Sequence, residues 1–72
     1  MTDTALAEYR KALAIDPNFV LAREYLGEGY VAAGRIDLAK LELNEIKVRA
    51  GTASEEYRDL AKAIDTGAVA TD

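Results

Sequence analysis

The sequence predicts an all-α fold of antiparallel helix-turn-helix repeats, four helices making about two repeats. Three observations carry that expectation. Residue types return 34 positions apart: Ala5 as Ala39, Tyr9 as Leu43, Ala12 as Ile46, Pro17 as Gly51, Arg23 as Tyr57, Leu26 as Leu60, Gly27 as Ala61 and Tyr30 as Ile64. That period is the length of a helix-turn-helix unit that stacks on copies of itself. Apolar residues recur at three- and four-residue intervals in four stretches, as one face of a helix requires. Between the stretches stand chain breakers, Pro17, Gly34 and Gly51.

The first helix is expected over about Asp3 to Ile15, with Ala5, Tyr9 and Ala12 on one stripe and Leu6 and Leu13 flanking it. It stops at Asp16-Pro17-Asn18, because proline cannot extend it. A second, about Asn18 to Ala33, turns Ala22, Leu26, Tyr30 and Ala33 to one side and ends at Gly34, which suits the left-handed helix terminus. A third, about Ile36 to Ala50, repeats the stripe with Ala39, Leu43, Ile46 and Ala50, and Asp37 in its first turn complements the helix dipole. Thr52-Ala53-Ser54-Glu55 fits a capping box, in which the threonine hydroxyl and the glutamate carboxylate each satisfy a free backbone donor. The fourth helix then runs to about Asp65 with Tyr57, Leu60, Ala61 and Ile64 inward. Residues 1–65 are read as one helical domain, and 66–72, with little apolar bulk, as a disordered C-terminal tail.

Composition narrows the function. Cysteine and histidine are both absent, which removes the commonest nucleophile, the commonest general base and the best ligands for zinc or copper. This argues against an enzyme, and no cofactor is expected. The net charge is −4, and the basic residues are scattered among acids, so no stripe could follow a phosphate backbone. Nucleic acid is therefore not an expected partner. No uninterrupted apolar run of membrane length and no export signal occur, so a membrane is not expected either, and the cytoplasm is the expected compartment. Glu42 with Glu45, or Glu55 with Asp59, are suitably spaced to share a cation, but no loop offers a calcium constellation, and a solvated face is expected instead. Gly27 and Gly29 lie inside a helix with no strand before them, which excludes a phosphate loop; close helix packing accounts for Gly27.

These residues resemble the tetratricopeptide repeat, whose first helix reads W-x2-L-G-x2-Y, whose second reads A-x3-F, and which closes on proline. Arg23-x2-Leu26-Gly27-x2-Tyr30 matches the first helix except at the aromatic opening, where Arg23 stands. Ala39-x3-Leu43 matches the second with leucine for phenylalanine, and Gly51 replaces the closing proline. Upstream, Ala5-x3-Tyr9 with Ala12 and Ile15-Asp16-Pro17-Asn18 is similar to the end of a preceding repeat, and downstream Tyr57-x2-Leu60-Ala61-x2-Ile64 to the first helix of a following one. The whole repeat also resembles segments of small bacterial repeat proteins. The resemblance implies right-handed superhelical stacking, and a protein interaction or scaffold role in which first helices line a groove that holds a peptide or helix of a partner.

On helical spacing the groove positions are Leu21, Glu24, Glu28, Val31 and Ala32, with Tyr25 at the margin, and Glu55, Arg58, Asp59 and Lys62 are equivalent on the last helix. Members of the family that grip a C-terminal carboxylate use lysine, asparagine and arginine there. Glu24 and Glu28 would instead repel it. The 34-residue shift sets Glu24 opposite Arg58 and Glu28 opposite Lys62, so two cross-helix ion pairs are expected. Tyr25 with Leu21 is a candidate apolar hot spot, whereas Tyr9, Tyr30 and Tyr57 are expected in the core with wet hydroxyls. Leu38, Leu41 and Val48 form a second apolar stripe on the third helix. This supports an alternative role, a homo-oligomerisation module that buries its open repeat ends against another copy.

Overall fold

The structure is a computed structural model and describes residues 3–67. Four helices follow one another: α1 (Asp3–Ile15), α2 (Val20–Ala32), α3 (Ile36–Ala50) and α4 (Glu55–Thr66). Among the described residues there is no strand, and no helix is long and apolar enough to cross a membrane.

The turn between α1 and α2 explains why α2 starts two residues later than its apolar pattern suggests. Asp16 accepts two bonds there: its side chain takes the N–H of Asn18 at 3.1 Å, and its carbonyl takes the N–H of Phe19 at 3.1 Å. With these donors used in the turn, Phe19 becomes the N-cap and has no side-chain capping bond. At the other end, the N–H of Arg35 reaches the Tyr30 carbonyl at 2.7 Å and that of Gly34 reaches Val31 at 3.0 Å. This is a Schellman closure. It needs a left-handed residue at Gly34, whose φ is +77°, a conformation any side chain would strain.

The start of α4 differs from the expected capping box. Ser54, not Thr52, is the N-cap: its hydroxyl accepts from the Tyr57 N–H at 3.2 Å and donates to the Gly51 carbonyl at 2.8 Å. Thr52 and Ala53 are spent in the turn leaving Gly51, so Glu55 becomes the first helical residue rather than the third. α4 also continues one residue past Asp65 to Thr66, and Gly67 caps it in the left-handed region, φ +67°. The remainder of the expected tail, residues 68–72, lies outside the described residues.

α2 is the hub: α1, α3 and α4 all pack on it, and α3 and α4 also pack on each other. The core gathers Leu6, Leu13, Ala22, Leu26, Tyr30, Val31, Ala39 and Ala63, while Ile46 and Leu60 are wholly buried. α1 departs from the expected stripe. Leu6 and Leu13 are its buried residues, and Ala5, Tyr9 and Ala12 are only half-buried. The residues 34 positions on from Leu6 and Leu13 are Lys40 and Lys47, both exposed, so α1 turns a face to α2 that α3 leaves in water. Gly27 sets the separation of α2 and α4. A Cβ placed on it would stand 2.5 Å from Leu60 Cδ2, a distance no packed side chain tolerates.

Candidate partner-binding groove

The surface where α2 and α4 run side by side is built from two stripes. On α2, Leu21 and Tyr25 lie one turn apart and are each 38% exposed, and Glu28 and Ala32 continue the row. Tyr25 is braced from behind: the Tyr9 ring of α1 lies 5.7 Å from it, centroid to centroid, inclined at 45°. Such a tilted pair fixes an aromatic ring while leaving one face free. On α4, Glu55, Arg58, Asp59 and Lys62 are exposed. An apolar shelf thus borders a row of alternating charges.

Two residues expected on this surface lie beneath it. Val31 is part of the core, and Glu24 is only 7% exposed. The two expected cross-helix ion pairs, Glu24 with Arg58 and Glu28 with Lys62, are not formed; the ion pairs among the described residues join Lys11 to Glu8, Arg23 to Glu42, Arg35 to Asp37 and Arg49 to Glu45. The reason is helical phase. Leu60 and Ala63 fix the face that α4 turns inward. Glu56 falls on that face and Asp59 at its edge, while Arg58 and Lys62 are about 120° or more away from Glu56. Glu24 therefore meets acids. Burial, a hydrogen bond with Glu28, and the charges of Glu28, Asp59 and Glu56 push its carboxyl up to about 8 from the ordinary 4.5.

The opposite side of α2 carries a charge that is matched. Arg23, at the position where the repeat pattern has an aromatic residue, donates from Nη1 to Glu42 Oε1 at 2.9 Å and from Nε to the Pro17 carbonyl at 3.0 Å. The two side chains are 12% and 15% exposed, so one guanidinium ties α2 to α3 and to the turn after α1. Glu42 is accordingly not on a solvated face, as its spacing from Glu45 suggests. Arg49 joins the same corner, donating from Nε to Asn18 Oδ1 at 3.0 Å while its Nη1 meets the Glu45 carboxylate. An antiparallel count across the Gly34 turn puts residue 42 opposite 23, in the register that brings Leu26 and Ala39 into one core. That count is the signal by which the pair could have been found; the 34-residue comparison looks past it.

Of the tyrosines expected inside, Tyr30 is buried, and its hydroxyl accepts from Arg10 Nε at 3.3 Å with the guanidinium carbon 5.6 Å from the ring centroid. Tyr9 and Tyr57 are half-buried. Asp37 is held by Arg35 and by the Leu38 N–H, which keep its carboxyl below the usual carboxylate range. Of the second apolar stripe, Leu38 packs on the core, whereas Leu41 is 62% and Val48 73% exposed on α3. Among the described residues no group of three or more acids could hold a metal ion.

Compared with families of known proteins, residues 1–64 match the model described as tetratricopeptide repeat. Compared with curated proteins and with solved structures, the chain gives no match.

Proposed function

Because the chain belongs to the tetratricopeptide repeat family, a family of generally non-catalytic modules that mediate protein–protein interaction, we propose that it is a scaffold module that holds a peptide or helix of a partner protein along α2 and α4. One observation carries this reading: Leu21 and Tyr25 stand exposed on α2 with Tyr9 behind, beside the charged row of α4. Tyrosine anchored on a rigid support is the residue type that concentrates binding energy at interfaces. Leu21, Tyr25 and Glu28 on one wall, and Arg58 and Lys62 on the other, are the proposed contacts; Glu24 and Val31 support the wall from beneath. The cytoplasmic setting expected from the sequence belongs to the same proposal.

The test is a selection of binders from a random 12-residue peptide library, followed by affinity measurements on variants. Tyr25→Ala is expected to weaken the selected peptides by about tenfold or more, the scale of an interface hot spot, and Val48→Ala to leave them unchanged. Equal effects of the two substitutions would contradict the groove.

A second reading is favoured by Leu41 and Val48, whose exposure on α3 leaves an apolar strip that another copy could cover. Equilibrium sedimentation over a hundredfold range of concentration separates the two: a constant monomer mass supports the groove, and a dimer that Val48→Glu dissociates supports self-association.

A further inference from the structure

We infer that the contact between α2 and α4 is a proton-dependent latch, in which α4 stays docked while Glu24 carries a proton and loosens when Glu24 ionises. The inference concerns the fold itself and stands whether or not a peptide occupies the groove.

Its basis is the position of Glu24. The residue is 7% exposed in the seam between the two helices, one turn from Gly27, where Leu60 of α4 comes close. A buried carboxylate needs a cation or several donors. Among the described residues no ion pair supplies the cation. On its own helix it faces Glu28, and from α4 it faces Glu56 and Asp59. The basic residues near the seam are committed or turned away. Arg58 and Lys62 project to solvent from α4, Arg23 is engaged by Glu42 of α3, and Arg10 of α1 lies over Tyr30. The seam therefore favours the neutral form of Glu24, which burial and the neighbouring Glu28 both stabilise.

When the proton leaves, two effects act in the same direction. A charge is left on a side chain that is only 7% exposed, and the acids Glu28, Glu56 and Asp59 become its like-charged neighbours. α3 is held to α2 by the Arg23 fork, which reaches Glu42 and the Pro17 carbonyl. Among the described residues no ion pair joins α4 to α2 in this way, and Leu60 and Ala63 pack it there. Loosening should therefore be confined to α4.

Hydrogen exchange read residue by residue, corrected for intrinsic chemical rates, tests this on the whole chain. Protection of the amides of residues 58–66 is expected to fall by about tenfold or more between pH 5 and pH 8, linkage allowing up to about tenfold per pH unit. Residues 37–46 of α3 should lose less. Glu24→Gln, which keeps the shape and donates a hydrogen bond at every pH, should abolish the fall. No fall in the wild type, an equal fall throughout α3 and α4, or an unchanged fall in Glu24→Gln would overturn the latch. A direct titration of the Glu24 side-chain carboxyl by carbon NMR needs no variant: a midpoint well above the other glutamates supports the latch, and one within the ordinary carboxylate range overturns it.

Discussion

Arg23 and Glu24 are neighbours on α2, both carry ionisable side chains into the interior, and the protein accommodates them in opposite ways. Arg23 faces α3 and is answered by a carboxylate and a carbonyl at hydrogen-bond distance. Glu24 faces α4 and is answered by three more acids. One helix is thus joined to its two neighbours by different physics: on the α3 side by a matched charge inside the contact, and on the α4 side by close apolar packing against an electrostatic penalty. The difference shows that a repeat's register decides which residues meet the next helix, while the rotation of each helix decides whether the meeting is favourable.

The largest effect is expected at Arg23. Arg23→Ala leaves Glu42 without its cation and the Pro17 carbonyl without its donor, and should cost about 3 kcal/mol in urea unfolding. Replacing both partners, Arg23→Met with Glu42→Leu, should recover most of that loss, because apolar groups of similar volume need no partner. If the single substitution costs under about 0.5 kcal/mol, the fork is an ordinary surface pair.

Next is Gly27→Ala. The added methyl meets Leu60 at 2.5 Å, and although alanine favours helix by about 1 kcal/mol, overpacking of about 1–3 kcal/mol should win. A net loss of about 1 kcal/mol, recovered when Leu60 is replaced by valine, would place the strain at the α2/α4 seam. A gain in stability would contradict a close approach at Gly27.

Glu24→Gln is expected to act with the opposite sign. The folded carboxyl binds its proton more tightly than an unfolded glutamate. Its contribution is therefore fully present below about pH 4.5 and is lost as pH rises toward about 8. The variant should be more stable than the wild type at pH 8 by about 1–2 kcal/mol, with little difference at pH 4.5. The smallest effect belongs to Tyr25→Ala, expected to cost less than about 1 kcal/mol of stability because the ring is partly exposed, while it removes peptide binding.

The helices and their order were legible in the sequence because their signals are local. Pro17, Gly34 and Gly51 stop helices for reasons internal to the backbone, and α1 and α3 have the bounds their patterns predict. Gly27 was legible too, since a glycine within a helix stripe points to a close approach, and Leu60 supplies it. Phe19 and Ser54 were not. Which of several adjacent polar groups caps a helix depends on how the preceding turn spends its donors, and Asp16 and Gly51 decide that here. Leu21, Tyr25, Arg58 and Lys62 lie on the surface as helical spacing expects, whereas Glu24 and Val31 do not. A 34-residue shift treats two helices as superimposed, but α4 turns Leu60 and Ala63 inward and carries Glu56 and Asp59 round to Glu24 in place of Arg58. That rotation follows from tertiary packing, to which no residue spacing refers. Arg23 and Glu42 were missed for a related reason: their partnership crosses the turn within one repeat, whereas the period compares repeats.

The proposed function assigns the partner to the face formed by α2 and α4. The most direct measurement is a map of backbone amide chemical shifts while a peptide selected from the random library is titrated into the protein. Changes concentrated at Leu21, Tyr25, Glu28, Arg58 and Lys62 are the predicted result. Changes concentrated around Leu41 and Val48 of α3, with α2 and α4 unmoved, would contradict it.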